Sequence, residues 1–451
     1  MQLWRNGELY RRPESGWASL RGGPWRRGET LDWEKSDMNE KRSAIFTIAV
    51  LASILLVFTV ADLIKDDRLF SETENRILAV KPKFSLEAMF QGKYMKDYET
   101  YVTDQFVSRD KWIAIKTYTD IALGRKEING VYLGKDGYLI EQHLPEDYPK
   151  ELEEEKTALL KRLVERWDAQ VMLVPTADNI LVDKMPSHAP YYDQTALLNR
   201  MREQIGDRNW VDVCSILKEH AKEEIYYRTD HHWTSLGAYY GYLGWAKAQE
   251  TVGAGAALGG KNAQGGAGQQ KGQKEDGKQA GKESAQGEAV NEATGRYGRD
   301  GLATAAEGFL GTLHSKVNVD VKADVLQYFP ETLDRPLKVT YDMRKSADSC
   351  YEESYLDTKN KYGFFLDDNH ALVEIETDYH NGKTLFVIKD SYANCFVPLL
   401  IPHYERIYVM DLRYFNGRLF SFMEERETEA GMDVLVLYNC IHFLEEFKYL
   451  E

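Results

Sequence analysis

Between Ala44 and Ala61 the chain reads AIFTIAVLASILLVFTVA, eighteen apolar or small residues without a charge, followed by Asp62, Leu63 and Ile64. A run of this length reaches across hydrocarbon, since about 20 residues at ~1.5 Å each span ~30 Å. A core helix of a soluble domain would carry a polar face. A cleaved signal peptide would have a much shorter leading segment than the one here and an apolar stretch of only about 7–15 residues. The sequence therefore predicts an uncleaved signal-anchor over residues 43–64, with the core helix and the cleaved signal as its rivals. Lys and Arg near the two ends are tied, Lys35, Lys41 and Arg42 before and Lys65, Arg68 and Arg76 after. The Lys41-Arg42 pair abutting the span and nine Lys/Arg in the preceding tail place the N-terminus in the cytoplasm. Residues 1–42 are then expected to be a disordered cytoplasmic tail and residues 65–451 an extracytoplasmic domain in a single-pass cell-membrane protein.

Composition narrows the partners. A formal net charge of −15 argues against gripping nucleic acid, which needs a basic face. A hydrophobic content of 43% excludes a wholly disordered chain. Four cysteines, Cys214, Cys350, Cys395 and Cys440, contain no C-x-x-C pair, so they suggest neither a zinc site nor a disulfide scaffold. One segment breaks the pattern. Residues 251–300 hold 13 of the 34 glycines, and Gly, Ala and Gln fill 28 of these 50 positions. Lacking large apolar side chains to offset its ordering entropy, it is expected to be a disordered insertion within the ectodomain.

The rest alternates strand-like and helix-like signals, the grammar of an α/β fold. Residues 84–123 have helical spacing, and 129–141 reads as a hairpin around Lys135-Asp136-Gly137. A helix over 149–168 precedes a buried strand over 170–176. A helix over 193–206, a short strand over 210–213 and a polar helix over 217–223 follow. The runs TLFVIK (384–389), RIYVM (406–410) and DVLVLY (433–438) are short and continuously apolar, as are parallel strands covered on both faces.

Two strings carry chemistry. Ser391 follows TLFVIK in Lys389-Asp390-Ser391-Tyr392, so it stands at the carboxyl edge of a sheet. Alone, a serine there suits a helix N-cap better than a nucleophile. Far upstream stands Thr229-Asp230-His231-His232-Trp233, entering a helix near Leu236. An imidazole to take a serine proton and a carboxylate to orient it are what nucleophilic catalysis needs, and Asp230 and His232 supply both. The bland alternative makes Asp230 a helix cap and the histidines surface groups. A metal site is disfavoured: adjacent histidines are expected to point apart, with no third ligand at helical or strand spacing.

The string Thr229 to Trp233 resembles the hallmark of the DHHW family, which is similar to the SGNH-hydrolase-like alginate O-acetyltransferases of AlgJ and AlgX type. Further agreement lies in Glu74-Asn75-Arg76, in Asp104-Gln105-Phe106 with Arg109, and in Asn129 to Gly134. The resemblance runs from about residue 70 to the C-terminus, interrupted by the insertion. It implies an SGNH-hydrolase-like three-layer α/β fold with a mainly parallel sheet, in which Ser391 is the nucleophile, His232 the base and Asp230 its orienter. It also implies an oxyanion hole built from Asn439 and the Ser391 or Tyr392 amide, although Asn439 suits a plain turn equally well; Arg413, Asn369 and Gly311-Thr312 are polar candidates for substrate contact. Where the family favours glycine at the next strand end, this chain has Asp411, leaving an amide of Leu412 or Arg413 to serve. The implied activity is O-acetylation of a cell-surface or secreted polysaccharide through an acyl-enzyme, with no bound cofactor and no metal. The acetyl donor would come from a polytopic membrane acyltransferase. An esterase with the same triad, and a non-catalytic polysaccharide-binding subunit of an export complex, are the alternatives.

Overall fold

The computed structural model describes residues 29–71, 73–74, 76–259, 299–330, 336–427 and 432–448. Most of the tail, Asn75 and residues 260–298 of the insertion lie outside them. The chain divides into two units, residues 1–67 with 105–107, and the remainder.

The first unit contains helix α1, Glu29–Ile64. Its portion Glu40–Ile64 is long and apolar enough to cross a membrane, and none of its most apolar window is buried. The helix begins well before the expected anchor, so residues 29–42 are helical where disorder was expected. Glu, Lys and Met favour helix, and extending an existing helix costs far less than nucleating one.

The second unit is built on a seven-stranded sheet: β1 Gln170–Val174, β2 Leu337–Tyr341, β3 Lys345–Ala347, β4 Leu372–Thr377, β5 Thr384–Lys389, β6 Arg406–Asp411 and β7 Met432–Asn439. Their order is β3-β2-β4-β6-β5-β7-β1. Strands β6, β5, β7 and β1 run parallel, while β4, β2 and β3 extend the sheet antiparallel. All four parallel strands sit where the apolar runs predicted them.

Alternate residues of these strands feed two cores. Phe386, Ile388, Val434, Val436, Val171 and Leu173 pack with Leu160 and Leu163 of α2 (Lys150–Trp167), and with Leu197 and Met201 of α3 (Gln194–Ile205). Leu385, Val387, Leu435, Leu437 and Met172 face the opposite layer, with Tyr239, Tyr242 and Trp245 of α4 (Ser235–Gly259). Both faces are covered, which is why the strands read as unbroken apolar runs. This is the mixed three-layer α/β arrangement that the family resemblance implied.

Three local expectations change. Trp210 makes only an isolated bridge to Val171, and the helix placed at 217–223 instead spans Val213–Glu219, capped by the Asp212 side chain on the Ser215 amide. Helix α4 continues to Gly259, past the expected start of the insertion at 251, because Ala-rich sequence propagates helix readily. The hairpin is present as Val131–Leu133 paired with Leu139–Glu141.

Candidate active site

The carboxyl ends of the parallel strands converge on one edge, where loops of an α/β sheet carry function. Strand β5 ends at Lys389, and Asp390 then caps a short 3-10 helix, Ser391–Cys395, by accepting from the Tyr392 amide. Ser391 is thereby held at the start of that turn. Burial of Phe386 and Ile388, about 1.5–3 kcal/mol each, helps to offset the cost of enclosing charges at the strand's end.

The histidine comes from a loop closed by an antiparallel bridge between Tyr226 and Trp233. Asp324 clamps this loop by accepting from the Arg228 and Thr229 amides and from the Thr229 hydroxyl. The Trp233 indole donates to the Tyr392 carbonyl at 2.8 Å, tying the histidine loop to the serine turn. His232 is fixed from both sides. Its Nδ1 meets Asp230 Oδ1 at 2.6 Å and its Nε2 meets Ser391 Oγ at 2.8 Å, while the ring stacks on Tyr362 at 3.8 Å. Asp230 Oδ2 accepts from the amide and hydroxyl of Thr312 at 2.8 and 3.0 Å. Only glycine fits before Thr312, because a Cβ on Gly311 would lie 2.3 Å from Asp230 Oδ2. Burial would raise Asp230, but His231 and His232 beside it hold the carboxyl well below the usual carboxylate range.

The adjacent histidines do not point apart as expected. Their ring centroids are 3.9 Å apart, and His231 Nδ1 bonds the Thr312 hydroxyl. Burial first, and then His232, push His231 down to about 4. Asp230, His231 and His232 bring three potential metal ligands within 4.8 Å of one another. An ion there would have to break the His232 bonds to Asp230 or Ser391.

Ser391, His232, Asp230, Asn369, Arg413, Gly311 and Thr312 line one cavity of about 310 Å³. Beside it lies a buried ionic network. Lys389 Nζ contacts Asn369 Oδ1, Asn394 Oδ1 and Asp411 Oδ2, and Arg413 grips Asp411 through Nε and Nη2. Burial lowers Lys389 against the pull of Asp411. Arg413 Nη2 also donates to Asn369 Oδ1, whereas its Nη1 makes no protein bond among the described residues.

Two members of the expected oxyanion hole, Asn439 and the Tyr392 amide, are otherwise engaged. Asn439 does not line the serine cavity. Its Oδ1 caps helix α5 (Cys440–Glu446) by accepting from the Ile441 and His442 amides, and its Nδ2 donates to Asp390 Oδ2. The Tyr392 amide is taken by Asp390 Oδ1 and its hydroxyl by the His231 carbonyl. The Arg413 amide is likewise used, by Asp411 Oδ1. Asn439 is a turn-and-cap residue because the chain turns into a helix directly after β7. Arg413 and Asn369 line the Ser391 cavity together with Lys359, Asn360 and Asp368.

A second imidazole was not foreseen. His442 Nδ1 bonds the buried Asp390 at 2.9 Å, and the ring lines the same cavity as Ser391. Burial disfavours its charged form, but the Asp390 carboxylate outweighs this and raises its pKa. Its position four residues past a predicted strand end was the available signal.

Residues 131–298 match the family model of the SGNH hydrolase-like domain of the acetyltransferase AlgX, a segment that contains Asp230 and His232 and stops short of Ser391. The described fold matches a DHHW family protein from Eubacterium siraeum with a TM-score of 0.51 and 23% identity, over 70% of this chain and 93% of that one. The fold is SGNH hydrolase-like. This SGNH-like domain is also similar to Bacillus cereus PatB1 with a sulfonyl adduct (TM-score 0.49, 19% identity, 70% and 98% covered). The O-acetyltransferase domain of Pseudomonas putida AlgJ is more distant (TM-score 0.35, 15% identity, 71% and 93% covered). No curated protein matches the sequence. The resemblance of the SGNH-like domain to the DHHW family and to AlgX-type proteins, drawn from the motifs, is borne out.

Proposed function

We propose that this chain is a membrane-anchored, serine-dependent O-acetyltransferase that modifies a cell-surface or secreted polysaccharide, with α1 as its anchor and the SGNH-like domain outside the membrane. The observation that carries the reading is the unbroken relay from Asp230 Oδ1 through His232 to Ser391 Oγ, at 2.6 and 2.8 Å. The acetyltransferase named in the matching family model supports the same chemistry.

Ser391 Oγ attacks the acetyl carbonyl while His232 Nε2 takes its proton, and Asp230 stabilises the imidazolium that forms. The tetrahedral oxyanion is met by the unengaged Nη1 donors of Arg413, which lines the same cavity as Ser391. Collapse forms acetyl-Ser391, with the proton passing from His232 to the leaving group. A sugar hydroxyl then gives its proton to His232 and attacks the acetyl carbonyl, regenerating Ser391. A membrane acyltransferase partner would deliver acetyl to the outer face.

Incubating the purified full-length protein with a chromogenic acetyl ester and neutral oligosaccharides tests this directly. Transfer predicts acetylated sugar, and its loss in Ser391→Ala. Acetate release without acetylated sugar would make the protein an esterase, and an unaffected Ser391→Ala variant would make it non-catalytic.

A further inference from the structure

Next to the serine cavity lies a second one, of about 210 Å³, that the proposed chemistry does not use. The two share His231 and His442 in their walls. The second is built from Glu141, His143, Tyr148, Glu445 and the apolar side chains of Leu313 and Ile441. Its polar groups are held in place from behind. His143 Nδ1 bonds the buried Asp178, Lys316 pairs with Glu141, and the Tyr148 hydroxyl donates to Glu445 Oε1 at 3.1 Å.

What remains unengaged faces the cavity. Among the described residues, the Nε2 atoms of His231 and His442 make no hydrogen bond, and that of His143 lies 3.9 Å from Glu141 Oε2. The second oxygens of Glu141 and Glu445 accept no hydrogen bond there either. Burial would raise Glu141, but His231, Lys316 and His143 hold it down to about 2, so it is an acceptor at neutral pH. Asp390 raises His442 and Asp178 raises His143, each against burial, which favours them as donors.

We infer that this second cavity is a subsite for a neutral sugar ring of the acceptor chain, adjoining the ring whose hydroxyl reaches acetyl-Ser391. The inference rests on the transferase reading and names its substrate class. A pyranose presents hydroxyls that both donate and accept, above an apolar ring face. Carboxylate acceptors, imidazole donors and apolar walls match that pattern. No Lys or Arg lines this cavity, whereas Lys359 and Arg413 line the one at Ser391. Glu141, Asp178 and Glu445 give this lining three carboxylates, and its only basic groups are imidazoles, two of them already bonded to Asp178 and Asp390, which disfavours a uronate or phosphorylated ring by like-charge contact.

The test uses the full-length protein, p-nitrophenyl acetate as donor, and mono- to tetrasaccharides of glucose, N-acetylglucosamine, mannose and galacturonate as acceptors. In at least one neutral series, transfer kcat/KM should rise about tenfold from mono- to tetrasaccharide, the worth of one or two added hydrogen bonds. Glu445→Gln, at an exposed side chain where folding is not at stake, and Glu141→Gln should flatten that rise to about threefold or less. Both should lower the ratio of transfer to hydrolysis. Length dependence unchanged in both variants, no length dependence in any neutral series, or a preference for the galacturonate series would each overturn the subsite. Ester hydrolysis that survives in Ser391→Ala would overturn the underlying transferase reading instead, so the two failures are distinguishable.

Discussion

Asp230→Asn isolates the electrostatic part of the proposed relay, because it keeps the side chain's size and removes its charge. Asp230 Oδ1 accepts from both the amide and Nδ1 of His232, and Oδ2 accepts from both donors of Thr312. If the new amide nitrogen turns toward His232, it meets two donors and forces the tautomer whose Nε2 carries the proton and cannot take one from Ser391. If it turns toward Thr312, it meets one N–H, while the Thr312 hydroxyl can reverse and accept. The second orientation wins, so the tautomer survives and the loss is the charge that stabilises the imidazolium. At about 4 Å between charge centres and an effective dielectric of ~20, that attraction is ~4 kcal/mol. At ~1.36 kcal/mol per decade this is about a 10³-fold fall in kcat with KM nearly unchanged. Pre-steady-state hydrolysis of a chromogenic acetyl ester reads it as a slowed acylation burst. A variant that folds normally and keeps more than about a tenth of wild-type kcat would refute the relay.

The same carboxyl makes a prediction for stability. Its folded pKa is depressed, so the stability it contributes is present above the ordinary carboxylate range and lost as pH falls through the folded value. The Tm gap between wild type and Asp230→Asn should therefore narrow below about pH 4.

Arg413→Ala removes the unengaged Nη1 donors in the cavity that Ser391 lines and should cost about 10²–10³ in kcat, read by steady-state ester hydrolysis; KM should move little. Gly311→Ala drives a methyl group onto Asp230 Oδ2, so kcat should fall at least tenfold or so while circular dichroism still reports a folded chain. Asp104 is held down to about 2, chiefly by its hydrogen bond to Arg76. Asp104→Asn should thus lose about 1 kcal/mol at neutral pH, the half-exposed Arg76 being screened, with the difference vanishing between about pH 4 and 2 in urea unfolding.

Legibility followed the physics of each element. Strands β5 and β6 stand where the sequence put them, to within a residue, because a strand covered on both faces must be apolar at every position. The helix expected over 149–168 forms at Lys150–Trp167. Trp210 was misread as a strand because one bridge to Val171 needs no periodic signal. In the site, Asp230, His232 and Ser391 were legible as residue types in suitable local settings. Their mutual distances were not, since His232 and Ser391 are 159 positions apart and are brought together by tertiary contacts, among them the Trp233 and Tyr392 hydrogen bonds that tie the two loops. Asn439 was misassigned because a side chain at a strand end can face the nucleophile or cap the next helix, and position along the chain does not distinguish them.

Local grammar therefore determined the apolar span, the parallel strands and the chemistry-bearing strings, because burial and turn geometry restrict which residues occupy such positions. Tertiary structure alone decided which polar groups face Ser391. Hydrogen-bond capacity is finite: Asp390 and the α5 amides occupy Asn439 and Asp390 occupies the Tyr392 amide, whereas Arg413 keeps donors free. That division is set by contacts between strands and loops distant in sequence, and the same contacts bring His442 and Glu141 to the cleft where an acceptor sugar would lie.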